Sequence, residues 1–200
     1  MPRLLHGTLA SGNVYKVRLL LGLLNLPYEF VPVDLATGAH RSPDFLKLNP
    51  MGQVPVLQEG DLVIWDSQAI LVYLACQYGT DPAGLDWLPL EPLALTRVMQ
   101  WLSVSANDID QSFTALRRHY LLNMPLDANR AEQRAHRLLQ VMDTQLQTQD
   151  WLAGAQATIA DIACFPYLSL AADSRIDLAP YSAVTAWLDR VRALPGFVKL

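Results

Sequence analysis

The chain divides into two fold classes: residues 1–78 predict a small α/β domain on a mixed sheet, and residues 93–200 an all-α bundle, with residues 79–92 as linker. Three observations lead there. Up to Tyr78, apolar runs of strand length alternate with stretches of helical period. A proline- and glycine-containing segment without sustained period follows. Beyond it, every apolar pattern repeats at helical spacing.

Taken in order, Arg3-Leu4-Leu5-His6-Gly7 reads as a short strand. Leu9-Ala10-Ser11-Gly12-Asn13 is a small-residue turn into a helix in which Val17, Leu20, Leu21 and Leu24 recur. Leu26-Pro27 stops that helix. Tyr28 to Val33 alternates as a second strand, whose Pro32 suits a sheet edge because proline has no N–H to give to a ladder. Ser42-Pro43-Asp44 supplies the cap and first-turn proline of a short helix, closed by Asn49-Pro50. Val54 to Leu57 and Leu62 to Trp65 form a hairpin across a turn at Gly60, and Asp66-Ser67 opens an amphipathic helix to about Tyr78. The order β-α-β, short helix, β-β-α is that of a thioredoxin-like unit.

In the second half, Leu93 to Leu122 is one long helical pattern stopped near Pro125. Asp127 caps a helix to about Gln149, Thr158 opens a third, and Tyr181 to Ala193 forms a fourth. Thr158-Ile159-Ala160-Asp161 matches a capping box, in which threonine and acid each satisfy a backbone N–H at the helix start, a structural role. Pro166 predicts a kink in the same helix.

Composition narrows the function classes. Two hundred residues, 52% hydrophobic, bury a sizeable core. Fifteen basic against nineteen acidic residues leave a net charge of −4, and no basic cluster offers a phosphate-binding surface, so nucleic acid is not an expected partner. No apolar run approaches the ~20 residues of a membrane span, and the basic-apolar-small order of a signal peptide is absent; the predicted location is the cytoplasm. Cys76 and Cys164 fall in apolar helical patterns and read as small buried hydrophobes rather than a disulfide. His6, His40, His119 and His136 share no metal-ligand spacing, and no metal is predicted.

The one residue that spoils an otherwise regular strand is Pro55, in Asn49-Pro50-Met51-Gly52-Gln53-Val54-Pro55. It belongs at a strand start, an edge or a cis peptide bond. Together with Ser11-Gly12-Asn13-Val14-Tyr15-Lys16-Val17 after the first strand, Asp66-Ser67 opening a helix, and Thr158 and Asp161 in the α domain, this stretch resembles the soluble glutathione transferases over the whole chain. Four segments in the right order make the resemblance specific. It implies the glutathione transferase fold, a cis Val54-Pro55 bond, glutathione as co-substrate, and a homodimer. The details are similar to bacterial serine-type members and to phi-like and zeta-like classes. The loop that carries cysteine in redox-type members has none here, and Asp66 stands where the family more often has glutamate, one methylene longer.

On that resemblance each part of glutathione has a partner. Ser67, at a helix N-terminus, faces the γ-glutamyl carboxylate, and Asp66 the ammonium; simple helix capping is the alternative role for both. Val54 presents its backbone to the cysteinyl backbone as an added strand would, next to Pro55. Gln53, His40 and Arg41 are candidates for the glycine end, with a solvated loop as the alternative for His40 and Arg41. At the thiol, Ser11 is the first choice and Asn13 the second. Moving a thiol from a pKa of about 8.5 to ~6.5 takes ~2.7 kcal/mol. One hydrogen bond to a charged group contributes ~1.5–3 kcal/mol, so no strong base is required. The electrophile pocket is expected between the domains, lined by Leu9, Ala10, Trp101, Ser105, Asp108 and Ser112, although the last four also suit bundle core or a dimer surface. The predicted activity is transfer of glutathione to a small apolar electrophile. The alternatives are a glutathione-dependent isomerase, dehalogenase or peroxidase, or a non-catalytic binding protein with the same fold.

Overall fold

The computed structural model describes residues 2–79 and 86–199. The first unit runs β1 (Arg3–Gly7), α1 (Gly12–Leu23), β2 (Glu29–Pro32), a 3-10 turn at Ala39–Arg41, α2 (Pro43–Leu48), β3 (Val56–Glu59), β4 (Leu62–Trp65) and α3 (Ser67–Tyr78). The sheet order is β2-β1-β3-β4. β1 is parallel to β2 and antiparallel to β3, which is antiparallel to β4. The α1 crossover supplies the length that a parallel pair needs, and Pro32 lies on an edge strand, where its missing N–H leaves no ladder bond unmade.

Neighbouring residues of a strand face opposite sides, and here both sides are covered. Leu5 lies opposite Leu57, and both are buried, as are Val17, Leu20 and Leu21 of α1 and Ile70 and Leu74 of α3. One residue along, Val56 joins Val33 and Phe45 in a second cluster with Leu48, Val54 and Val63. Gly7 ends β1 for a steric reason: a Cβ there would stand 2.6 Å from a methyl of Val14. Glycine lets the first turn of α1 close down on the end of the strand.

At the opposite end of β1, Glu59 gathers three donors. Arg3 forms an ion pair with it, and the hydroxyls of Tyr73 and Tyr78 donate to its two oxygens at 2.7 Å each. Burial alone would raise the Glu59 carboxyl, but the two tyrosines and Arg3 outweigh it and hold the group below its ordinary value. The sign of the linkage follows. A carboxyl whose folded-state pKa lies below its unfolded value stabilises the fold above about pH 4.5 and loses that contribution as pH falls through the folded-state value. Glu59→Gln is expected to lower stability at neutral pH and to narrow its deficit in acid. Denaturant titrations of both proteins at several pH values check this; a constant deficit would remove Glu59 from acid unfolding.

The second unit is helical: α4 (Pro92–Val104), a π-helical stretch Ser105–Thr114, α5 (Ala115–Leu122), α6 (Ala128–Leu146), α7 (Ile159–Ser169), a 3-10 turn Ala171–Ser174 and α8 (Ser182–Arg192). The side chain of Asp127 caps α6, as its sequence position predicts. The central member is α7, whose residues Ile159 to Leu168 are all buried, with Phe165 edge-on to Trp187 at 6.2 Å between ring centroids. The capping box of Thr158 and Asp161 is formed in both directions. Pro166 removes one helical hydrogen bond, yet α7 continues past it to Ser169.

Three expectations change. The region from Pro92 to Leu122 is helical throughout, but the middle ten residues are π rather than α, so α spacing does not carry across them. Cys76 is exposed, while Cys164 is buried, and neither is in a disulfide; Cys76 sits on the outward side of α3 rather than in the core. Finally, the unit boundaries are Met1–Asp81 with Pro195–Leu200, and Pro82–Leu194. The last residues therefore belong with the α/β unit, because their contacts are with α1: the Tyr15 hydroxyl donates to the Val198 carbonyl at 2.6 Å. Six residues of the expected 79–92 linker, 80–85, lie outside the described residues.

Candidate functional site

The register of the sheet brings the candidate segments to one end. Gly7, the last residue of β1, pairs with Pro32, so the loop after β2 that leads to His40 and Arg41 starts beside the loop that leads to Ser11. β3 runs the other way. His6 pairs with Val56, which places Val54 and Pro55 just beyond the same end of β1. Val56 also pairs with Trp65, so Asp66 and Ser67 emerge there too. Residues separated by up to 56 positions in sequence thus leave the sheet side by side.

Ser11 is the N-cap of α1. Its Oγ accepts from the Val14 N–H at 3.3 Å, and its carbonyl accepts from the Tyr15 N–H at 3.0 Å. Among the described residues nothing accepts the hydroxyl hydrogen of Ser11, which leaves it able to donate to a ligand at a helix N-terminus. Asn13, in the same first turn, is half-buried, and its carboxamide makes no hydrogen bond to a described group.

The stretch before β3 is shaped by a residue that the sequence reading used only to close α2. Asn49 is 1% exposed. Its side-chain NH2 donates to the Gln53 carbonyl at 2.7 Å and its oxygen accepts from the Met51 N–H at 2.9 Å. Gly52 takes the positive φ of 61° that completes this loop. The Val54-Pro55 peptide is cis. β3 pairing begins at Val56, and no described group hydrogen-bonds to the Val54 backbone. A buried asparagine between two prolines' worth of turn signals was the available clue to this role.

Asp66 caps α3 with one oxygen: Oδ1 accepts from the Gln68 and Ala69 N–H groups at 2.9 and 3.1 Å. Its second oxygen has no hydrogen-bond donor among the described residues, so capping and ligand contact are compatible. The residue has φ 74° and ψ 125°, a region rarely occupied by side-chain-bearing residues and one that costs of order 1–3 kcal/mol. Ser67 is 6% exposed, and its hydroxyl has no partner among the described residues. His40 and Arg41 form the 3-10 turn, with the Arg41 Nε–H directed at His40 Nε2 at 3.4 Å. His40 Nδ1 is buried without a hydrogen-bond partner among the described residues. Gly52 approaches the His40 carbonyl so closely that a Cβ would stand 3.1 Å from it, which places this turn against the Gln53 loop.

The residues expected to line the electrophile pocket belong to both units. Leu9 and Ala10 are exposed in the loop before α1. In the helical unit, Trp101 lines a groove of about 870 Å³ with Arg97, Gln100, Leu138, Val141 and Gln145. Ser105 is buried and donates to the Ala163 carbonyl at 2.7 Å. Ser112 is buried and donates to the Asp108 carbonyl. Both serines serve the bundle interior, the alternative left open by the sequence. Among the described residues no group of three His, Cys, Asp or Glu side chains is placed to hold a metal ion.

The family models for the glutathione S-transferase N-terminal and C-terminal domains match residues 4–76 and 125–195. The chain is 38% identical over 209 residues to Glutathione S-transferase 3 of Zea mays, spanning 99% of this chain and 92% of the relative. The chain belongs to the glutathione S-transferase family. A crystal structure of glutathione S-transferase from Pseudomonas fluorescens superposes with a TM-score of 0.91 at 34% identity, covering 100% of this transferase and 98% of that chain. A glutathione transferase homolog from Drosophila mojavensis, solved with bound glutathione, superposes with a TM-score of 0.86 at 29% identity, covering 97% and 89%. The mixed four-stranded sheet followed by a helical unit is the architecture of this family, as the resemblance implies.

Proposed function

We propose that this transferase binds glutathione at the Ser11 end of its sheet, holds the thiol as thiolate and adds it to a small apolar electrophile. The observation that carries the reading is the Ser11 hydroxyl. It accepts from Val14 and so is oriented, while its own hydrogen remains available for a sulfur placed at the α1 N-terminus. The unpaired Val54 backbone offers one donor and one acceptor to an extended peptide. The Ser67 hydroxyl and the free oxygen of Asp66 meet the carboxylate and ammonium of the γ-glutamyl end. The orphan nitrogen of His40, with Arg41 and Gln53, faces the glycine carboxylate. Asn13 is the second donor to sulfur. Once sulfur attacks the electrophilic carbon, its lone pair forms the thioether bond and the negative charge passes to the product or its leaving group.

In this reading the protein is a cytoplasmic homodimer that uses no metal. Met51, Leu62 and Trp65 are exposed apolar side chains on the α/β unit that suit a subunit contact, and no described helix is long and apolar enough to cross a membrane.

The test is glutathione-dependent turnover of a panel of electrophiles with products identified by mass. A stable thioether is the expected product; an isomer with glutathione intact, or glutathione disulfide, would move the assignment to a rival glutathione-dependent reaction, and absence of glutathione binding would leave a non-catalytic fold. Ser67→Ala removes a hydroxyl donor to a charged carboxylate, worth roughly 1.5–3 kcal/mol. It is expected to weaken glutathione binding roughly 10–100-fold with little change in kcat, read by calorimetric titration and steady-state kinetics.

A further inference from the structure

The end of the chain is docked on the helix that presents Ser11. Tyr15, the fourth residue of α1, is 1% exposed, and a buried phenol needs a partner for its hydroxyl. It finds one 183 positions away, in the Val198 carbonyl at 2.6 Å. Its backbone N–H meanwhile donates to the Ser11 carbonyl at 3.0 Å. One residue is thereby tied at its side chain to the C-terminal segment and at its backbone to the cap that orients the candidate thiol donor.

An independent observation marks the same contact. Gly22 lies inside α1, where glycine costs about 1 kcal/mol relative to alanine. A Cβ there would meet the Val198 side chain at 2.2 Å and the Gly196 carbonyl at 2.9 Å, and a Cβ on Gly196 would meet the Gly22 carbonyl at 2.7 Å. Gly196 also has φ 84°, a conformation that side-chain-bearing residues rarely adopt. The two glycines let the tail lie directly on the helix backbone. This segment begins at residue 195, where the match to the family's C-terminal model ends.

We infer that residues 195–199 form a strap that fixes the first turn of α1, with Tyr15 as a positioning residue that sets the direction of the Ser11 hydroxyl. The inference rests on the proposed thiolate chemistry at Ser11. Tyr15 touches neither substrate nor sulfur; it acts through the turn that it anchors.

The experiment is a thiolate absorbance titration of bound glutathione in the full-length protein, compared with Tyr15→Phe and Gly196→Ala. Tyr15→Phe keeps the ring and removes the bond to Val198; Gly196→Ala disturbs the strap without touching Tyr15. Both are expected to raise the pKa of the bound thiol by about half a unit, with kcat/KM at neutral pH falling about threefold and glutathione affinity changing less than twofold. A strap that served only stability would lower the melting temperature and leave the titration in place, and equal thiol pKa values in all three proteins would overturn the inference. The wild-type curve separates the two levels of argument. A bound thiol that titrates as free glutathione does would overturn the Ser11 reading and the strap's role with it, whereas a depressed wild-type value unmoved by either variant would overturn the strap alone.

Discussion

Replacing Asp161 with alanine is expected to destabilise the protein by about 3–5 kcal/mol while leaving glutathione affinity within twofold. Asp161 is fully buried and accepts four hydrogen bonds: from the Leu152 N–H at 2.9 Å, the Thr158 N–H at 3.0 Å, the Thr158 hydroxyl at 3.4 Å and the Trp187 indole N–H at 2.9 Å. Only the second of these is the capping-box bond. The others make this carboxylate a junction between the chain entering α7, α7 itself and α8. Burial pushes the carboxyl upward, and the donors pull against that. Alanine would orphan two backbone N–H groups and one indole N–H, each costing about 1–3 kcal/mol, with relief of the desolvated charge offsetting part of the sum. At about 2–4 °C per kcal/mol for a chain of this size, the melting temperature falls by roughly 6–20 °C. Asp161→Asn, which points an amide N–H2 at groups that are themselves donors, should recover only part of the loss. Unchanged melting with weakened glutathione binding would move Asp161 out of its structural role.

The second large effect is on chemistry. Ser11→Ala is expected to raise the pKa of the bound thiol by about 1–2 units, the worth of one hydrogen bond to a charged group, and to lower kcat/KM at neutral pH by about tenfold or more. The loss is bounded, because the N–H groups and dipole at the start of α1 remain. Glutathione binding should change little, since the proposed contacts to the tripeptide's ends lie elsewhere, and the lost cap costs about 1 kcal/mol of stability. Ser11→Thr, which keeps a hydroxyl, should restore most of the shift. A bound-thiol titration identical in Ser11→Ala and the wild type would transfer the role to Asn13.

What was legible in the sequence was legible because proline and glycine punctuate it. Pro27, Pro32, Gly60 and the Ser42-Pro43 cap mark element ends that depend on local backbone rules, and the observed β-α-β, short helix, β-β-α order follows them. The candidate glutathione segments were legible for a related reason: each is the end of a strand or the start of a helix, where spacing from the element is fixed. The electrophile set rests on a period instead. Counting from Trp101 to Ser105, Asp108 and Ser112 assumes an α-helical spacing, whereas from Ser105 the ladder is π, and Ser105 and Ser112 are both buried in the bundle. Asn49 was read as a helix terminator because its two loop bonds depend on Gly52 turning the chain back towards it. The C-terminal strap has no period at all, and its only trace was a glycine inside an otherwise good helix, a feature without meaning until its partner across the chain is known.

That strap also has a consequence for how the protein is made. Residues 195–199, which pack on α1, are synthesised roughly 120 residues after α3, which at about 5–20 residues per second is an interval of about 6–24 s. During that time the α/β unit has its sheet and helices but lacks the group that receives the Tyr15 hydroxyl. A polypeptide released before residue 198 would carry every candidate glutathione-binding segment and still lack the Val198 carbonyl that receives the Tyr15 hydroxyl. On the proposed role of Ser11, completion of its turn therefore waits on residues 195–199, so that products truncated before them would be poor at generating a reactive thiolate.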